Sequence, residues 1–191
     1  MRFSVWTDVH MYAPNSLFKT PEEFLSRLNP KDPNEYMLGD VVDLANCKNK
    51  DVEEAGKARL RLKEVYGKRW IDGNHCRISR TNDLIFPKAG VVMAHGDFES
   101  WGAEKAIEYR SKPHGAGLFK RKLLVRAIEA YEKSVGRTLD QQFIENAVKL
   151  AKSHGCHTYV AGHLHPKEII DIVADSIRII IVPRGKTEIE I

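Results

Sequence analysis

The chain is poor in cysteine and has no long apolar run. Its three cysteines, Cys47, Cys76 and Cys156, are odd in number, widely spaced and contain no CxxC pair. That pattern argues against a disulfide framework or a cysteine-based zinc site, and it predicts a reducing, cytoplasmic setting. No stretch approaches the roughly 20 apolar residues that a membrane-spanning helix needs. The segment Met1-Arg2-Phe3-Ser4-Val5-Trp6-Thr7-Asp8 has no apolar core before a small-residue cleavage pattern, so no secretory leader is expected. A GxSxG nucleophile motif is absent. Gly115-Ala116-Gly117 lacks the Lys-Ser/Thr ending of a phosphate-binding loop. Repeats and low-complexity linkers are absent as well.

What is present is an ordinary soluble composition. At 42% hydrophobic and 29% charged residues, the 191-residue chain predicts one domain, 1–191, with a substantial core. A net charge of +4 suits an anionic partner, although chance surface composition explains it equally well.

The apolar pattern alternates between strand and helix in the first half. Arg2 to Thr7 reads as a strand. Thr20-Pro21-Glu22-Glu23 is a capping box with proline at the first helical position, predicting a helix to about Asn29. Tyr36-Met37-Leu38 is the next strand. Residues 51 to 66 carry Ala55, Ala58, Leu62 and Val65 at helical spacing. Arg69-Trp70-Ile71, Leu84-Ile85-Phe86 and Val91-Val92-Met93 read as strands. Residues 99–154 then break the rhythm as a helical insert. One apolar face holds Leu124, Ile128, Tyr131 and Val135; another holds Phe143, Ala147, Leu150 and Ala151 behind an Asp140 N-cap. Strands return at Thr158–Val160, Ile169–Val173, Ile177–Val182 and Thr187–Ile191. They predict a terminal meander whose last two strands join through Pro183-Arg184-Gly185-Lys186. The expected class is α/β with two sheets.

Five short clusters follow these strands: Asp8-x-His10, Gly39-Asp40-x-x-Asp43, Gly73-Asn74-His75, His95-Gly96-Asp97 and Gly162-His163-x-His165. They hold five of the eight histidines. Sheets of this kind gather ligands beyond the carboxyl ends of their strands, so five strand ends can pool their side chains at one spot. Asp8 and His10 are two apart, which places them on one face of a regular strand. The glycines before Asp40, Asn74 and His163 allow a tight exit and close backbone approach. Oxygen and imidazole donors suit Mn, Fe, Zn, Ni or Co better than Ca or Cu(I). A DxH or HxH pair alone is weak, and a lone histidine is usually a surface or hydrogen-bonded residue; the ordered set carries the argument.

The ordered set DxH, GDxxD, GNH, H and GHxH resembles the calcineurin-like metallophosphoesterase superfamily, over Asp8 to His165. The resemblance implies a two-sheet β-sandwich flanked by helices and a centre of two divalent transition-metal ions. Asp8, His10 and His165 would hold the first ion; Asn74, His95 and His163 would hold the second; Asp40 would bridge. His75 would contact the scissile phosphate as stabiliser or leaving-group acid. Asp43 and Asp97 would orient ligands. The implied reaction is hydrolysis of a phosphodiester, pyrophosphate or phosphomonoester by metal-bound hydroxide, without a covalent intermediate.

The chain departs from that family at Cys76, where a carboxylate usually holds the histidine. Asp72 and Asp97 are the candidate replacements, and Cys76 itself reads as a small buried residue. Leu44-Ala45 after Asp43, together with Cys76, disfavours the phosphoprotein-phosphatase branch. The 99–154 insert partly resembles the lid of the UDP-diacylglucosamine pyrophosphatase branch. Arg77 and Arg80 are candidate substrate-binding residues. They join Lys112, Lys120, Arg121, Lys122 and Arg126 as possible contacts to a second phosphate, a nucleotide or nucleic acid. A solvated helix face explains the insert cations equally simply. Trp101 suits either base stacking or core packing. The expected substrate is a phosphorylated small molecule or nucleotide. A metal-dependent nuclease and a non-catalytic scaffold on the same fold are the alternatives, and a nucleic-acid-binding module using the basic insert is a third.

Overall fold

Strand β1 (Arg2–Thr7) shows why the fold is layered. Its side chains alternate, and both faces are buried: Phe3 and Val5 enter one apolar cluster, Trp6 another. A strand buried on both faces needs a layer on each side. The computed structural model, which describes residues 1–76, 84–86, 89–111 and 139–191, supplies both. The architecture is α/β, with two mixed sheets flanked by helices.

The first sheet has the order β3-β2-β1-β9, with β2 at Glu35–Leu38, β3 at Trp70–Ile71 and β9 at Gly185–Glu190. The second has the order β4-β5-β6-β8-β7, with β4 at Leu84–Phe86, β5 at Val91–Ala94, β6 at Thr158–Ala161, β7 at Ile170–Ala174 and β8 at Ile177–Ile181. Phe3, Val5, Leu38, Ile71 and Ile189 from the first sheet meet Val91, Met93, Val160 and Ile180 from the second in one buried cluster. The residues between them in sequence face outward. Met37 and Trp70 pack under helices α1 (Pro21–Leu25) and α2 (Val52–Tyr66). Tyr159, Ile179 and Ile181 pack under helix α5 (Gln141–Ser153). Two short helices, α3 (Asp97–Trp101) and α4 (Ala103–Ser111), follow β5.

Several expectations need correction. Helix α1 ends at Leu25 rather than near Asn29. Arg27 and Leu28 already bond three residues back, and the Asn29 amide donates 2.8 Å to the buried Glu35 carboxylate, which draws the chain off the helix axis. Thr20 caps α1 as predicted, at 3.2 Å from the Glu23 amide, but Glu23 returns its bond to the Lys19 amide rather than to Thr20. The buried face of α2 is Ala55, Arg59, Leu62 and Tyr66; Val65 is exposed and Ala58 half-buried. The terminal strands are not a meander. Both edges of β8 are occupied, parallel by β6 and antiparallel by β7. β9 therefore crosses to the other sheet and pairs antiparallel with the free edge of β1. Asp140 caps α5 as predicted, accepting from the Phe143 amide at 2.7 Å. The predicted face at Leu124, Ile128, Tyr131 and Val135 lies outside the described residues. No helix of the described residues is long and apolar enough to cross a membrane.

Arg59 is buried because Asp72 is. The Asp72 carboxylate accepts from Arg59 Nε at 3.1 Å, Trp70 Nε1 at 2.7 Å and Lys63 Nζ at 3.0 Å. Burial alone would raise its pKa, but these donors hold it below the ordinary carboxylate value. Substituting Asp72→Asn strands a buried guanidinium, with an expected loss of about 3–5 kcal/mol in urea unfolding at pH 7. A loss below about 1 kcal/mol would show that the pair carries no net stability.

Candidate metal centre

The carboxyl ends of β1, β2 and β3 lie side by side because those strands are parallel neighbours. The same holds for β5 and β6 in the facing sheet. Every predicted cluster sits at one of these five ends. The exits are tight: Asp8, His10, Asp40, His163 and His165 all have positive φ, between 50° and 62°. Non-glycine residues seldom adopt this left-handed region, and strain of this kind collects at functional sites. The expectation that Asp8 and His10 share one face of a regular strand is therefore corrected. Both lie past the end of β1 and reach the site through left-handed backbone.

Backbone pairing continues beyond the strands and holds these exits rigid. The Asp8 amide donates to Gly39 O at 3.1 Å, His10 to Asp40 O at 2.8 Å and Met11 to Val41 O at 2.9 Å. Two glycines are required by close approach. A Cβ on Gly73 would lie 2.2 Å from Asp40 Oδ1, and one on Gly162 would lie 2.0 Å from Thr7 Oγ1.

Two buried carboxylates organise the centre in the same way. Asp8 Oδ2 accepts from Thr7 Oγ1 at 2.7 Å and from the His163 amide at 2.8 Å, while Oδ1 lies 3.0 Å from His165 Nε2 and 3.9 Å from His10 Nε2. Asp40 Oδ1 accepts from the His75 amide at 2.7 Å, while Oδ2 lies 3.2 Å from His95 Nε2 and 4.0 Å from His75 Nε2. Each carboxylate thus fastens a neighbouring loop with one oxygen and presents the other to imidazoles.

The imidazoles are anchored from behind. His10 Nδ1 lies 3.0 Å from Asp43 Oδ2, and His95 Nδ1 lies 2.9 Å from Leu38 O. A proton on each Nδ1 leaves Nε2 as the inward donor, the tautomer that a metal ligand requires. His163 packs edge-on against His95, with ring centroids 5.1 Å apart, and against Trp101 at 4.9 Å. Helix α4 packs against the Asn74–Cys76 turn.

Among the described residues, three groups bring ligand atoms within 4.8 Å of one another: Asp8, His10 and His165; His10, Asp40 and His75; and Asp8, Asp40 and His95. The first is the predicted first-ion set. For the second set, Asn74 Oδ1 lies 3.0 Å from His95 Nε2, beside Asp40 Oδ2. The donors fit cations. His10 Nε2 is buried without a hydrogen-bond partner. Two acceptor oxygens converge on His95 Nε2, which only a proton or a cation between them can reconcile. The structure therefore contains buried Asp/His clusters able to hold a metal ion.

Charge follows this geometry. Burial alone would raise the pKa values of Asp8, Asp40 and Asp43, yet the surrounding imidazoles hold all three below the ordinary carboxylate range. Burial opposes protonation of His95, but Asp40 and then Asp8 outweigh it and raise its pKa to about 10. Burial likewise opposes protonation of His75, and Asp43 and Asp40 outweigh it and raise its pKa to about 9. His165 moves the other way, lowered chiefly by burial and further by His10 and Arg184, against the pull of Asp8.

The acid seen against His75 is a third carboxylate, Asp43, with Oδ2 at 2.9 Å from His75 Nδ1. Asp72 is engaged by Arg59, Lys63 and Trp70. Cys76 is fully buried, and burial pushes its thiol pKa up, as a small packed residue requires. Arg77 and Arg80 lie outside the described residues, as do Lys112, Lys120, Arg121, Lys122 and Arg126. Sequence reading missed Thr7, Asn46 and Arg184. Asn46 Nδ2 lies 2.9 Å from His75 Nδ1 and 3.1 Å from Asp43 Oδ2. Arg184 Nε donates to Asp8 O at 3.0 Å. None of the three left a signal in the sequence. No family model matches the chain, and no curated protein matches it.

In metal-stripped protein, the raised pKa values of His75 and His95 contribute stability that is fully present below about pH 6.5. It is lost as pH rises through about 9 and 10. A cation must displace the His95 proton. Manganese is thus expected to bind with proton release and with affinity rising from about pH 7 to 9, measurable by titration calorimetry in buffers of different ionisation enthalpy. Binding without proton release would contradict this charge assignment.

Proposed function

We propose that this chain is a metal-dependent phosphoesterase of the calcineurin-like kind, using two divalent cations, manganese among the fitting metals. The observation that carries the reading is the gathering of seven donors at adjoining strand ends: Asp8, His10, Asp40, His95 and His165 take part in groups whose ligand atoms lie within 4.8 Å of one another, Asn74 Oδ1 lies 3.0 Å from His95 Nε2, and the His163 ring packs against His95. Five of these seven donors are neutral (four histidines and Asn74). Two carboxylates only partly offset the charge of two divalent cations, so positive charge remains for an anionic ester. Cations held there would supply that charge to the phosphoryl oxygens and would activate a water.

The chain's own residues provide the rest. His75 and His165 keep 20% and 26% of their side-chain surface exposed, whereas His10 and His95 are closed, so the opening lies at the first pair. His75 carries its proton toward that opening on Nε2, with Asp43 behind Nδ1, and is placed to donate to the leaving oxygen. Asp40 fastens the His75 backbone amide and so fixes the histidine relative to the donor groups.

Purified protein is expected to hydrolyse bis(p-nitrophenyl) phosphate or a nucleotide ester with added manganese. Asp40→Asn is expected to lose both bound metal and activity. His75→Ala is expected to keep metal and lose about 100-fold or more in kcat. Wild-type protein without bound metal and without manganese-stimulated hydrolysis would instead favour a scaffold. Cleavage of DNA alone would narrow the activity to a nuclease. Nucleic-acid binding that survives metal removal and weakens with salt would favour a binding module.

A further inference from the structure

The chain crosses from the second sheet to the first between β8 and β9, and this crossover touches the metal centre. The last pair of the β1–β9 ladder is Thr7 with Gly185. One step further along, a side chain takes over where the backbone pairing stops: Arg184 Nε donates to Asp8 O at 3.0 Å. Nη2 of the same guanidinium donates to Asn15 O at 2.8 Å. One planar group therefore holds both ends of residues 8–15, the loop that carries Asp8 and His10.

That loop has an unfavourable backbone. Asp8, His10 and Tyr12 have positive φ, at 53°, 54° and 73°, which non-glycine residues keep only where their surroundings enforce it. The Asp8 amide is fixed by Gly39 O at 3.1 Å, and Arg184 fixes the carbonyl of the same residue. Holding Asp8 at both backbone groups sets the direction in which its carboxylate leaves the strand. That direction brings Oδ1 to within 3.0 Å of His165 Nε2 and 3.9 Å of His10 Nε2.

Charge alone would give Arg184 the opposite influence. A guanidinium close enough to act against a proton on His165 acts also against a cation among the same donors. Geometry and charge therefore predict opposite signs for the effect of removing it.

From the double grip we infer that Arg184 is a positioning residue for the first donor group, Asp8, His10 and His165, and that it raises the affinity of this group for a cation in spite of its own positive charge. The inference rests on the reading of the centre as a two-cation site.

The experiment titrates metal-free wild-type protein, Arg184→Met and Arg184→Lys with manganese against a competing chelator. His165→Ala, which removes a donor of the first group, marks the binding step that belongs to it. Thermal midpoints of the metal-free proteins are measured alongside, and the lysine variant, which keeps the charge but loses the planar two-point grip, carries the test if the methionine variant does not fold. The expected result is that both variants weaken the marked step by about tenfold or more and leave the other step within about twofold. Tighter or unchanged binding at the marked step would show that charge outweighs positioning and overturn the inference. Equal weakening of both steps would reduce Arg184 to a structural residue and overturn it as well. Wild-type protein that binds no manganese would overturn the two-cation reading itself, and this inference with it.

Discussion

Two carboxylates buried where two sheets meet are the constraint on which the rest depends. Neither Asp8 nor Asp40 has more than about one per cent of its surface exposed, and an uncompensated charge at that depth would not be tolerated. Compensation comes from the backbone on one oxygen and from imidazoles on the other. The first kind of contact binds loops together: Asp8 joins β1 to the loop after β6, and Asp40 joins β2 to the loop after β3. The second kind creates an excess of converging lone pairs, which a proton or a cation must occupy. The electrostatics that hold the strand ends together are therefore the same electrostatics that equip them to hold metal.

The sandwich makes this arrangement possible. Parallel pairing aligns three strand ends in each sheet, β1, β2 and β3 in one and β5, β6 and β8 in the other, and the shared cluster of Phe3, Val5, Leu38, Val160 and Ile180 presses the sheets face to face. The left-handed exits at Asp8, His10, Asp40, His163 and His165 are the local cost, and backbone bonds between the loops after β1 and β2 offset it. Asp43 extends the same economy one layer outward, since it orients His10 and His75 together.

Much of the fold was legible in the sequence because its signals are local. Both helix caps, at Thr20 and Asp140, and most strands follow from spacing and side-chain chemistry within a few residues. The failures have non-local causes. The face of α2 turned toward Arg59 because Asp72, 13 residues away, is buried beneath it. The destination of β9 depended on which strand edges were already occupied, a property of the assembled sheets. The candidate site shows the same division. The donor types were readable because Asp, His and Asn recur after strands, whereas the acid behind His75 was not: Asp43 and His75 are 32 positions apart and adjacent only in space.

The sequence by itself determined the order of strands and helices and the placing of Asp, His and Asn side chains at strand ends. Those features are set by side-chain periodicity and by residue chemistry at fixed spacing. Only the tertiary structure decided which oxygen of each carboxylate faces a backbone amide and which faces imidazoles. It also decided that Asp43 lies against His75 Nδ1 and that Asn46 stands beside it. Those choices depend on distances of about 3 Å across facing sheets, and no pattern along one chain carries that information.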